Sequence, residues 1–110
     1  MLKLKVLYLL IFLTMVVVTV SASLKENILL IPPAVINDVW FTATLFDAYF
    51  AFLSFYLWVC YKEHSWRARI IWFFAIALLG NLAMAVYMLI KLVQLPKGAT
   101  VQDLLLRKAA

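Results

Sequence analysis

Residues 40–69 read WFTATLFDAYFAFLSFYLWVCYKEHSWRAR. The first two thirds form an apolar run of the length a helix needs to cross a bilayer, about 20 residues. A short charged loop, KEHSWRAR, follows and leads into a second apolar run. Asp47 is the only acidic residue inside any of the long apolar runs.

The same character extends outward through the chain. Of its 110 residues, 68% are hydrophobic and 14% charged, with mean hydropathy +1.06. A soluble domain is about half apolar and about a quarter charged. A chain this short has too little interior to hide so much apolar surface, so the bilayer must serve as its solvent. In lipid a single segment satisfies its backbone internally only as a helix. The expected fold is therefore all-α: an integral membrane protein of three transmembrane helices in a small antiparallel bundle. The helices are expected at about 2–22, 39–61 and 67–93, in a single membrane domain with a polar or amphipathic tail over 94–110.

The first run, Val6 to Val20, follows Lys3 and Lys5. It reads either as a signal peptide, with Val20-Ser21-Ala22 at the cut, or as a retained first span. Pro32-Pro33 then forbids a continuous helix, and Asn37 or Asp38 is placed to cap the next one. In the second helix Trp40 marks one interface, and Trp58 with Tyr61 the other. Trp66 and Trp72 do the same for the third. Ala43, Asp47, Ala51 and Ser54 recur at spacings of four, four and three, a stripe of small or polar side chains. Small residues let helices approach closely in lipid, so this stripe is the expected packing face. Phe46, Phe50, Phe52, Leu53, Phe55 and Leu57 are left for the acyl chains. On the third helix Ala77, Gly80 and Asn81 share a face, and Lys91 can snorkel at the end. Pro96, Lys97 and Gly98 break the helix, and Thr100 with Asp103 forms a weak capping start.

The net charge of +5 comes from basic residues at the ends of apolar runs. That placement fits lipid headgroups and excludes a nucleic-acid patch. Three spans would put the termini on opposite sides. Lys3, Lys5, Lys62, Arg67 and Arg69 would then face one side, and Lys25, Lys91, Lys97, Arg107 and Lys108 the other. The totals are equal. The basic start and the KEHSWRAR loop agree with each other, which favours a cytoplasmic N-terminus in a bacterial inner membrane or an organellar or endomembrane.

Asp47 lies roughly 12 Å into the second helix, where a charge costs about 2.5–3.5 kcal/mol on insertion scales. Counting depth along the three helices brings Thr14, Asp47 and Asn81 to one level, with Tyr49 or Tyr87 close by. This polar cluster is either a clamp between helices or an ion or proton relay. One histidine, His64, and one cysteine, Cys60, make no metal site and no internal disulfide. No nucleophile–base pair or phosphate loop appears, so neither an enzyme nor a cofactor is expected. The partners expected are membrane lipids and either further copies or a larger membrane complex. The expected role is a non-catalytic accessory or oligomer-forming subunit; the alternative is a small oligomeric transporter or proton-coupled carrier using Asp47.

TLFDAY (44–49), Trp58, YKEHSW (61–66), and Gly80-Asn81 with Tyr87 resemble a family of small membrane proteins catalogued only as a domain of unknown function, number 1475. The likeness covers about residues 38–95, and YKE-x-SW is its most specific part. It implies a multi-span membrane protein and no reaction, ligand or catalytic residue.

Overall fold

The apolar runs around Val6–Val20 and Trp40–Trp58 become two unbroken 24-residue helices, α1 (Leu2–Lys25) and α3 (Val39–Lys62). In the computed structural model, which describes residues 2–107, the chain is helical and has no strand among those residues. Each long helix is about 36 Å from end to end, against about 30 Å of bilayer hydrocarbon. Both are long and apolar enough to cross a membrane. Between them Asn27 caps a single 3₁₀ turn, Ile28–Leu30, and Pro33 starts the one-turn helix α2 (Pro33–Ile36). The Asp38 carboxylate accepts the Trp40 N–H at 2.8 Å and so begins α3.

The helix expected over 67–93 is two helices, not one. α4 (Trp66–Leu79) and α5 (Asn81–Gln94) each have 14 residues and meet at Gly80, whose φ is +55° and ψ −121°. The chain reverses there. A straight helix would carry Lys91 roughly 37 Å from Trp66, yet the Lys91 ammonium lies 3.1 Å from Glu63, just before α4 begins. Trp72 and Tyr87 would be separated by roughly 22 Å, yet their ring centroids are 4.9 Å apart. The reversal needs glycine twice over. The backbone conformation is one that residues with a Cβ avoid, and a Cβ at this position would sit 2.7 Å from Cζ of Phe52.

α4 runs antiparallel to α3, marked by the Tyr56 hydroxyl donating to Arg69 O and the Tyr49 hydroxyl to Ala77 O. α5 returns beside both. α1 lies antiparallel to α5: Leu4 and Tyr8 pack against Met88 and Leu92, and Phe12 lines a recess with Ala83 and Val86. Helix α6 (Val101–Leu105) folds back under this end, capped by a reciprocal Thr100–Asp103 box, and buries Leu104 in the same cluster. The start of α1, the 63–65 loop, the end of α5 and the tail therefore share one end. The residue 26–38 connection alone occupies the other. This corrects the expectation of termini on opposite sides, which rested on a straight third helix. Each arm of the α4–α5 hairpin is about 21 Å long, short of a full crossing. The tail beyond Arg107, with Lys108, lies outside the described residues.

Backbone strain and crowding at Gly80 each cost about 1–3 kcal/mol when a Cβ is added. Gly80→Ala should lower the unfolding midpoint in detergent. In a Phe52→Ala background the same substitution should cost less, because only the backbone component is left; an undiminished cost would show that the Phe52 contact plays no part.

Candidate functional site

The reversal brings together residues distant in sequence. Tyr87 is completely buried. Phe55, Trp58 and Trp72 surround it edge-on, with centroids 6.0, 5.6 and 4.9 Å from its own. These edge-to-face contacts suit the ring quadrupoles. Val59, Ile76 and Ala83 complete the core. The Lys91 ammonium lies 5.2 Å from the Tyr87 centroid, over the ring face, as it reaches Glu63. Both side chains of that ion pair are 18% exposed, so little water screens it. The Tyr87 hydroxyl is buried without a hydrogen-bond partner among the described residues. It lies close to Glu63 but outside hydrogen-bond geometry with it.

Arg69 clasps the loop that presents Glu63. Its guanidinium donates to the Glu63 carbonyl at 2.7 Å through Nη2, and to both Cys60 and Glu63 carbonyls at 3.1 Å through Nε. It also stacks over Trp66 at 4.9 Å. One cation thus satisfies carbonyls that the end of α3 would leave orphaned.

The tail closes the site from outside. Trp58 Nε1 donates to Leu105 O, and Lys62 Nζ to Leu106 O. The Arg107 N–H donates to the Tyr61 hydroxyl, and the Arg107 guanidinium meets His64 Nδ1 at 2.9 Å. Between tail and loop is a recess of about 160 Å³ lined by Lys62, Glu63, His64, Lys91, Gln94 and Asp103, with Leu95 and Leu104. It has the volume for a few waters or a small polar species. No cluster of metal-binding side chains occurs among the described residues.

The sequence-expected residues are placed differently. Asp47, Asn81 and Thr14 are each exposed on the chain and no hydrogen bond joins them. Asp47 does lie near the depth of the reversal, since Tyr49 reaches Ala77. Ala43, Ala51 and Ser54 are also exposed, and Ser54 only returns its hydroxyl to Phe50 O. The face that α3 buries within the chain is the aromatic one, at Phe52, Phe55, Tyr56, Trp58 and Val59. Large rings win because α3 must reach across to α5 and fill the space around Tyr87. Phe46, Phe50, Leu53 and Leu57 stay exposed. On α4, Ala77 is half-buried, and Gly80 just past its end is buried. Trp40 and Trp66 point outward, as does Tyr61 apart from its bond to the tail. Trp58 and Trp72 wall the tyrosine and are not free interface anchors.

Glu63, Tyr87 and Lys91 form no visible constellation in the sequence, because a straight third helix would put Lys91 at the opposite end. The one available signal is Gly80-Asn81, a helix-weakening pair in mid-run.

No curated protein and no solved structure matches the chain. A family model described as "Protein of unknown function (DUF1475)" matches residues 4–109. The match takes in α1 and the tail as well as residues 38–95.

Removing one partner of a largely buried ion pair strands the other, which costs up to about 3–5 kcal/mol when burial is complete. Glu63→Gln and Lys91→Met should each lower stability in detergent by somewhat less than that, and the double variant by less than the two added together. Tyr87→Phe should fall within about 1 kcal/mol of wild type, since the hydroxyl it deletes is unpaired. Tyr87→Ala should cost about 3–5 kcal/mol. Unfolding curves of the five variants check all of this; strict additivity of the pair would exclude the coupling.

Proposed function

Because the chain belongs to this family of proteins of unknown function, we propose its role from its own chemistry: a non-catalytic, multi-pass membrane protein that associates through the outer face of α3, with a second copy of itself. One observation carries the reading. Asp47 faces outward from α3 among Ala43, Ala51 and Ser54, on an apolar helix, with no partner among the described residues. A carboxyl group turned to acyl chains costs about 2.5–3.5 kcal/mol on insertion scales. Covering it with a second α3 removes that cost, and the small neighbours let two backbones come close enough to supply the hydrogen bonds. A two-fold pair sets like faces together, so each Asp47 meets the other copy's α3.

A second reading is kept for one observation. The helix break at Gly80 lies near the depth of Asp47, and broken helices at mid-membrane are the usual setting of ion and substrate sites in carriers. In that case the oligomer would move protons or ions with Asp47 titrating.

Single-molecule photobleaching or energy transfer in reconstituted bilayers tests the first reading. Wild type should dimerise. Asp47→Leu should weaken association by about 3- to 20-fold, the range of one interhelical polar contact. Ala51→Phe should weaken it by blocking close approach. A protein that stays monomeric at high protein-to-lipid ratio, or association untouched by both substitutions, would overturn it. The carrier reading requires proton- or ion-coupled flux that Asp47→Asn abolishes.

A further inference from the structure

The reversal at Gly80 changes which charges share an end of the molecule. Lys62 and Lys91 line one recess, and Lys5 and Lys97 line another next to it. Arg107 meets His64, and Arg69 holds the Glu63 carbonyl. Lys3 lies one half-turn before Lys5, and Arg67 follows Trp66 at the start of α4. All of these belong to the end that carries the 63–65 loop. Lys25, at the far end of α1 and about 36 Å away, is the only basic residue among the described ones at the other end. There it is accompanied by the acids Glu26 and Asp38.

The acids of the basic end are held within the fold. Glu63 is paired to Lys91, and Asp103 accepts from the Thr100 N–H and hydroxyl. Lys62, Arg69, Lys91 and Arg107 are engaged within the chain. Lys3, Arg67 and Lys97 are exposed and Lys5 is half-buried. These four belong to this end of the bundle and have no carboxylate partner among the described residues.

We infer that this end is an interaction surface for the anionic headgroups of one leaflet, so that the start of α1, the 63–65 loop and the tail up to Arg107 lie on the cytoplasmic side and α4–α5 enters the bilayer from that side and returns. The inference rests on the membrane reading proposed above. Basic residues flanking short loops are retained on the cytoplasmic side, and the anionic lipids of that leaflet attract them. Three straight spans would divide the basic residues equally between the two faces and so remove the bias. The folded-back hairpin concentrates nearly all of them on one. α4 and α5 alone are each too short to cross, and the apolar outer residues of α4, Ile70, Ile71, Phe74 and Leu78, are exposed for lipid contact.

The test uses the full chain with Cys60→Ala and one added cysteine at a time: Glu26→Cys, Ser65→Cys or Lys97→Cys. A membrane-impermeant maleimide is applied to sealed right-side-out and inverted vesicles of the expressing cell. Ser65→Cys and Lys97→Cys should both label in inverted vesicles, and Glu26→Cys only in right-side-out ones. Labelling of residues 65 and 97 from opposite faces would establish three crossings and overturn the inference, as would residue 26 labelling with residue 65. A variant carrying Lys3→Gln, Lys5→Gln, Arg67→Gln and Lys97→Gln should lose the uniform orientation and label from both faces. If it keeps the wild-type pattern, headgroup attraction through these four residues is excluded. Release of the wild-type chain by alkaline carbonate would instead overturn the membrane reading itself, an outcome distinct from a wrong topology.

Discussion

At Gly80 the backbone takes a conformation that residues with a Cβ avoid, and the ring of Phe52 fills the space that a Cβ would need. This contact between one helix end and one phenyl group is where the third apolar run turns back on itself. The placement of α5, and with it the contacts that α5 makes with the other helices, follows from that turn. Without it Lys91 could not reach Glu63, Tyr87 could not enter the Trp58–Trp72 box, and α1 would have no α5 to lie along. The turn also leaves carbonyls without helical partners at the end of α4, and the Tyr49 hydroxyl takes up Ala77 O. Phe52 and Tyr49 stand together on α3, with ring centroids 5.3 Å apart. The two residues that receive the hairpin tip thus belong to one side of one helix.

Beneath the turn the molecule places its most costly groups where they hold one another. A buried phenol, a carboxylate and an ammonium meet at the boundary between the aromatic core and the polar end. Ion pairs with little water around them barely offset their own desolvation. They do penalise other arrangements strongly, because either charge alone would be stranded. The Glu63–Lys91 pair therefore sets the register of α5 against the end of α3 more than it adds net stability. The aromatic box supplies the stability, since edge-to-face rings contribute beyond their buried area. Arg69 contributes in a third way, by closing the carbonyls at the end of α3 and stiffening the loop that carries Glu63.

The tail is anchored by backbone carbonyls and one buried leucine, not by side-chain pairs alone. Its partners, Trp58, Tyr61, Lys62 and His64, come from the last turn of α3 and the loop after it. All but Trp58 belong to the YKEHSW element that stands out in the sequence, and its role here is to hold three separate parts of the chain at one end. The outer face of α3 is different. Its small side chains and Asp47 are exposed, and none of them hydrogen-bonds to another helix, which is what motivates the proposed association between copies.

Hydropathy alone settled that the chain is helical and that two runs have the length to cross a bilayer, because apolar run length against bilayer thickness is a local property. The caps at Asp38 and Thr100 and the stop at Pro96–Gly98 were legible for the same reason, since each depends on residues within one turn. The small stripe on α3 was visible too, but not which way it faced. Helical periodicity defines a face without saying what lies opposite, and only the aromatic core around Tyr87 decided that. Gly80-Asn81 read as a helix-packing spot, because glycine in an apolar helix serves close approach more often than reversal. The tertiary fold decided otherwise: the φ of one residue is invisible to composition, and so is the packing of Phe52, 28 positions away in sequence, into the space that a Cβ at Gly80 would need.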